Sequence, residues 1–266
     1  MEKKLFVFDI DGTLLRDDKS FSQDTYDALQ ELKEAGHEVT IASGRSYLLA
    51  QHVIEGLDFN NYILCNGSAG FINHEQFHKE LIDEVELRRF MGLCQLLDVK
   101  FALQSLDDVG IIEDFSIPSV DAFMKHLGSK GFMLDERFKE ENDIYQALLF
   151  APESIFRFFG EGNLFKKIRF ARFFDMGVDV IPADVSKASA IFMMADEMGI
   201  ERHNIYAFGD GENDREMLSL VHNSVAMGNA EGDLKEVATH VTETNEEDGI
   251  VRFLERQGFI PERVRA

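Results

Sequence analysis

Residues 6–14, Phe-Val-Phe-Asp-Ile-Asp-Gly-Thr-Leu, constrain this chain more than any other stretch, because an apolar run that reads as a buried strand ends there on two carboxylates and a glycine turn. Side chains alternate along a strand, so Phe6 and Phe8 go to one face, while Asp9 and Asp11 share the other and can meet at one site. Paired carboxylates at a strand end repel each other unless a cation or a shared proton relieves them. The pattern predicts a bound divalent metal or a raised pKa. Asp11-Gly12 is also an ordinary turn signal, which explains Asp11 well and Asp9 poorly.

The same arrangement of strand and polar turn recurs. A strand over 39–42 ends at Ser43-Gly-Arg45, and another over 62–65 stops at Asn66-Gly67. Between them lie two helices. The first is opened by a capping box of Ser20 with Gln23, carries Tyr26, Leu29 and Leu32 at helical spacing and ends at Gly36; the second carries Leu48, Leu49, Val53 and Ile54. Such alternation implies a parallel sheet with right-handed crossovers, whose strand ends share one edge where ligand sites form.

From about residue 81 the pattern changes. A helix to about 97 and another near 119–127 accompany strand-like runs over 100–106, 109–113, 145–151, 167–171 and 178–181, which suggests an antiparallel sheet backed by helices. The Phe-rich segment 155–174 is expected to pack its core, and Pro182 punctuates its end. Alternation then resumes. Ser186-Lys187 opens a helix to about 198, and a strand over 205–208 runs into Gly209-Asp-Gly-Glu-Asn-Asp214, a second carboxylate cluster at a strand end. A helix over 215–221, a strand over 224–227, a helix around Leu234, a strand over 240–242 and a helix over 249–257 complete the pattern. The expected fold class is α/β: a Rossmann-like parallel-sheet core over 1–80 and 185–266, with an α+β domain inserted over 81–184.

Charge limits the partners. A formal net charge of -22 argues against nucleic acid or an anionic membrane. It also disfavours an anionic small substrate, so an acidic enzyme that handles phosphate must bring a metal ion, a lysine or helix N-termini to the site. Cys65 and Cys94 make neither a disulfide framework nor a metal-spaced cluster. With no signal peptide after Met1-Glu-Lys-Lys4 and no apolar run of membrane-spanning length, the expected location is cytoplasmic.

Four polar sites thus fall at strand or helix ends of one expected sheet: Asp9 with Asp11, Ser43, Lys187, and Asp210 with Asp214. Asp9 suits a nucleophile, and Asp11 an acid that protonates a leaving alkoxide and later deprotonates water. Asp9 and Asp210 suit Mg2+. Lys187 and the metal supply the positive charge that acidity demands, and the Ser43 hydroxyl can donate to a phosphoryl oxygen. Taken alone, Ser43-Gly-Arg45 is a turn and Lys187 a surface lysine; order and spacing together carry the reading.

On these motifs the sequence resembles the haloacid dehalogenase (HAD) superfamily of phosphatases, and within it the Cof-like group with an inserted type II (IIB) cap. Asp9-Ile-Asp-Gly-Thr13, Ser43-Gly-Arg45, Lys187 and Gly209-Asp-Gly-Glu-Asn-Asp214 resemble the four family motifs in order. Asn66-Gly67, Met227-Gly-Asn-Ala230 and Glu247-Asp-Gly249 resemble recurring Cof-group turns. The resemblance implies that Asp9 forms an aspartyl-phosphate, that Asp11 is the general acid/base and that Ser43 and Lys187 hold the phosphoryl group. It also implies that Asp210 binds Mg2+ with Asp9 and the Asp11 backbone carbonyl, with Asp214 supporting or ligating, and that Asn213 and the Gly12 amide orient the phosphoryl group. Gly44, Arg45 and Asn66 are candidate substrate contacts. The implied activity is Mg2+-dependent hydrolysis of a small phosphorylated metabolite: a sugar phosphate, a phosphorylated cofactor or a nucleotide. The alternatives are a phosphomutase or phosphotransferase sharing the intermediate, and a non-catalytic sensor of a phosphorylated metabolite. The physiological substrate and the oligomeric state stay open.

Overall fold

The computed structural model describes residues 2–126, 131–162, 164–174 and 176–263. Leu127, the last residue of one expected helix, and 264–266, the end of the expected core segment, lie outside the described residues. The first part of the chain forms β1 (Leu5–Phe8), α1 (Gln23–Glu34), β2 (Glu38–Ala42), α2 (Tyr47–Gly56), β3 (Asn61–Leu64), β4 (Ala69–Ile72) and β5 (Glu75–Lys79). The middle forms α3 (Glu84–Leu96), β6 (Lys100–Gln104), β7 (Val109–Ile111), α4 (Pro118–His126), β8 (Met133–Leu134), α5 (Phe138–Glu141), β9 (Gln146–Phe150), α6 (Glu153–Glu161), β10 (Ile168–Phe174) and β11 (Gly177–Pro182). The last part forms α7 (Lys187–Glu197), β12 (Ile205–Gly209), α8 (Arg215–Leu220), β13 (Asn223–Ala226), α9 (Leu234–Val237), β14 (His240–Val241) and α10 (Gly249–Arg256).

Strand β1 is buried along its length. Phe6 and Phe8 enter one apolar cluster and Leu5 and Val7 another, so both faces of the sheet need a helical cover. Helices α1, α2 and α10 supply Leu29, Val53 and Phe253 to the phenylalanine side; α7 and α8 supply Ile191, Met194 and Met217 to the other. Each such side chain contributes about 1.5–3 kcal/mol on full burial. Among the described residues the sheet order is β14-β13-β12-β1-β2-β3-β4-β5, parallel from β14 to β3 and antiparallel thereafter. The β4–β5 hairpin is absent from the sequence reading. Its outer strand, Glu-Gln-Phe-His-Lys, is a largely exposed edge and lacks the apolar run that marks a buried strand.

A second sheet, β10-β11-β9-β6-β7-β8, is built from the middle of the chain and is antiparallel except where β8 joins β7. One face packs on α3 and α6 through Phe90 and Phe159; the other carries Leu148 against α4 and, beside it, polar side chains. Helix α1 departs from the expected capping box. Its N-cap is Ser22, whose side chain accepts from Thr25 N, while the Ser20 hydroxyl donates to Asp18. Ser20 lies three residues before the helix begins, too far to cap it.

Candidate active site

The parallel strands end together, and the polar turns after them converge. Asp9 follows β1, Ser43 follows β2, Asp210 follows β12 and Asn229 lies beyond β13, all at the carboxyl edge where such sheets bind ligands. Asp9 is 5 % exposed, and its Oδ1 accepts from Lys187 Nζ at 2.5 Å. Lys187 is not a surface lysine. It is buried at the first turn of α7, which Ser186 caps, and its ammonium also reaches Asp214 Oδ1 at 2.7 Å. Asp214 Oδ2 accepts from the backbone N–H groups of Asp210 and Gly211, so both oxygens of the fully buried carboxylate have donors. Thr13 Oγ1 donates to Asp210 Oδ1 at 3.0 Å, and Asn229 Nδ2 bridges Asp210 Oδ2 and the Gly12 carbonyl.

Asp9, Asp210 and Asp214 offer oxygens within 4.8 Å of one another. Burial, reinforced by Asp214 and opposed by Lys187, pushes Asp9 up to about 7. Burial together with Asp9 and Asp214 pushes Asp210 up to about 8. Lys187 is held charged in the opposite sense: burial would lower it, and Asp214 and Asp9 outweigh burial. Three carboxylates against one ammonium leave two negative charges in a buried site, so the donor set fits a divalent cation.

Asp11 shares a cavity with Asp9, but its carboxylate stands outside the acidic trio. Strand β1 stops at Phe8, so strict alternation no longer applies at Asp11. Its carboxylate instead takes Arg45 Nε and Nη2 at 2.8 and 2.7 Å and Lys19 Nζ at 2.8 Å. Burial would raise it, but Arg45 and Lys19 outweigh burial and bring it down to about 2. Lys19 reaches back from a left-handed backbone position (φ 66°), which an L side chain adopts at a cost.

A cavity of about 550 Å³ opens between this edge and the second sheet. Asp9, Asp11, Ser43, Gly44, Arg45 and Asn213 line its floor. Asn66 is not in the lining: a left-handed turn at Cys65 and Asn66 directs its amide to Gln146 Oε1 and Asp179 Oδ2 in the wall. Gly12 supports the site from behind. Its φ is +73°, and a Cβ there would fall 2.1 Å from Asp210 Oδ2. Thr13 and Asn229 stood inside quoted motifs without a role. Lys19, Gln104, Gln146 and Asp179 carried no motif spacing, and only the packing of the two sheets brings them to the site.

An α/β sheet that gathers acidic residues and one buried lysine at its carboxyl edge, under a second sheet, has the charges to hold a cation and an anionic group side by side. The profile of the haloacid dehalogenase-like hydrolases matches residues 6–254, and the chain belongs to that family. Over 268 residues it is 30% identical to the 5-amino-6-(5-phospho-D-ribitylamino)uracil phosphatase YitU of Bacillus subtilis (strain 168), covering 96% of this chain and 98% of YitU. The solved structure of BT1666 from Bacteroides thetaiotaomicron, a HAD phosphatase, superposes with a TM-score of 0.86 at 27% identity, covering 97% of this chain and 96% of that one. The HAD subclass IIB sugar phosphatase BT4131 superposes with a TM-score of 0.83 at 26% identity, covering 97% of this chain and 100% of that one. The protein is a phosphomonoesterase of this family, acting on small phosphate substrates.

Proposed function

We propose that the protein is a Mg2+-dependent phosphatase that works through an aspartyl-phosphate on Asp9, with residues 81–184 as its cap. The observation that carries this reading is the buried Lys187 ammonium, which ties up Asp9 Oδ1 and Asp214 Oδ1 and leaves Asp9 Oδ2 without a protein donor among the described residues. That oxygen is the nucleophile. It bonds to phosphorus as the bond to the leaving alkoxide breaks, and Asp11 gives the alkoxide its proton. Asp11, now ionised, takes a proton from water; the hydroxide bonds to phosphorus and the bond to Asp9 breaks, restoring the carboxylate and releasing phosphate.

Asp11 must leave the Arg45–Lys19 clamp for the first of these transfers, since inside it the carboxyl is held ionised. Ser43 and Lys187 hold phosphoryl oxygens, with Asn213 and the Gly12 amide orienting them. Asp9, Asp210, Asp214 and the Asp11 carbonyl would hold Mg2+, which supplies Lewis-acid neutralisation of phosphoryl charge. The cap excludes bulk water from the cavity. The relatives support a small phosphorylated metabolite as substrate, and the ribitylaminouracil phosphate named for YitU is one candidate.

The test is phosphate release from sugar phosphates, pyridoxal phosphate, flavin mononucleotide, nucleotides and p-nitrophenyl phosphate, with Mg2+ and with chelator. Metal-dependent release that disappears in Asp9→Asn is the expected result. Turnover by Asp9→Asn near that of the unaltered protein removes Asp9 from the nucleophile's place, and silence across the panel from folded, metal-loaded protein favours a mutase or a sensor.

A further inference from the structure

The proposed mechanism does not use Asp179, a carboxyl that lies in the cavity wall and is 6 % exposed. It comes from β11, on the face of the cap sheet that also carries Gln104, Gln146 and Leu148; Gln104 pairs with Gln146 across β6 and β9, and Asp179 with Leu148 across β11 and β9. Asp179 Oδ2 accepts from Asn66 Nδ2 at 2.8 Å, and no donor among the described residues reaches Oδ1. Gln146 is spent on its neighbours: Oε1 accepts from Asn66, and Nε2 donates to the Gly44 carbonyl and to Gln104 Oε1. Gln104 keeps its Nε2 without an acceptor among the described residues, although the residue is 1 % exposed and lines the cavity. The wall therefore turns toward the cavity one acceptor and one donor that have no protein partner among the described residues.

Their position sets what they meet. A Cβ on Gly44 would lie 3.4 Å from Asp179 Oδ2, so the carboxyl stands over the turn that carries Ser43, beside the phosphoryl site and where the leaving group begins. Lys187 and Arg169 act on Asp179 through space from outside the cavity lining, and the cations within the lining are already engaged. Arg45 and Lys19 are both bonded to Asp11, and Arg172, the cation of the cap wall, pairs with Glu153 at 2.7 Å and lies over the Phe156 ring. Glu231 adds negative charge to the lining, Glu212 is paired with Arg215, and Met124, Leu148 and Phe173 give the cavity an apolar end.

We propose that Asp179 and Gln104 form the leaving-group subsite, and that it selects a neutral leaving group presenting a hydrogen-bond donor to Asp179, either a hydroxyl or a ring N–H, and rejects one carrying a second negative charge. The inference rests on the phosphatase reading and adds the determinant of its specificity. Burial pushes the Asp179 carboxyl up to about 7, against the pull of the Asn66 hydrogen bond and of Lys187 and Arg169, as suits a carboxyl with one oxygen open to a donor from substrate.

The test compares kcat/KM of the Mg2+-loaded full chain for ribitol 5-phosphate (hydroxyl donors), 2-(uracil-1-yl)ethyl phosphate (a ring N–H), pentyl phosphate (no donor) and 6-phosphogluconate (donors plus a carboxylate). One of the first two should exceed pentyl phosphate and 6-phosphogluconate by at least about tenfold, chiefly through KM, and which of them does so identifies the donor. In Asp179→Asn that advantage over pentyl phosphate should shrink by at least about tenfold. Pentyl phosphate or 6-phosphogluconate turned over as well as both donor-bearing substrates overturns the subsite, as does an advantage unchanged in a folded Asp179→Asn. If the variant does not fold, the comparison on the unaltered chain decides alone. Failure of the phosphatase reading looks different: p-nitrophenyl phosphate itself is then not hydrolysed.

Discussion

Asp210 is tied to Thr13 and Asn229 rather than to Lys187, so its removal takes a carboxylate from the site without stranding the buried ammonium. In Asp210→Ala the Mg2+ concentration for half-maximal activity should rise at least about tenfold while the protein stays folded. An unchanged Mg2+ titration would take Asp210 out of the metal site. Asp179 gives a pH dependence with a defined sign. Its folded-state pKa of about 7 lies above the ordinary 3.8, so the folded chain holds this proton more tightly than the unfolded one. The contribution is fully present below pH 3.8, falls as pH rises and is gone above about 7. Asp179→Asn should therefore lose less thermal stability than the unaltered protein between pH 5 and 8, read as the slope of Tm against pH. At this scale the motifs pointed to one sheet edge, and the structure brings Asp9, Asp210, Asp214 and Lys187 together there. They did not reveal that Asp11 would turn to Arg45 and Lys19, because a hydrogen-bond partner eight or 34 residues away leaves no periodic trace.

The elements that hold the site were legible where their periodicity was strong. Phe6 and Phe8 opposite Leu5 and Val7, and the Ser186 cap before Lys187, follow from alternation and capping alone. Strands such as β8, with two residues, and helices such as α5, with four, are too short to carry a period, and neighbouring elements stabilise them. The turn after β1 is tightly constrained. Gly12 combines a positive φ with a close approach to Asp210, so Gly12→Ala should cost about 1–3 kcal/mol in denaturant unfolding and displace the Asp210 carboxylate. Activity should fall at least about a hundredfold. Normal activity in that variant would mean that the turn relaxes without moving Asp210.

Over the whole molecule, the net charge of -22 surrounds a site that must admit a phosphate dianion. The cations near the entrance are already paired with Asp11, so the long-range field governs approach. Raising NaCl from about 0.01 to 0.15 M, at saturating Mg2+, shortens the screening length from about 30 to 8 Å and should raise kcat/KM for a phosphate monoester about two- to fivefold. A fall instead would mean that local cations dominate encounter. The core sheet also bears on biosynthesis. Leu5 pairs with Ile205, so one edge of β1 has no partner until the whole second sheet has left the ribosome. At about 5–20 residues per second, the intervening 200 residues take roughly 10–40 s. During that interval the nascent chain displays an open strand edge beside Phe6 and Phe8, able to pair with another nascent chain, and the window closes only when β12 arrives.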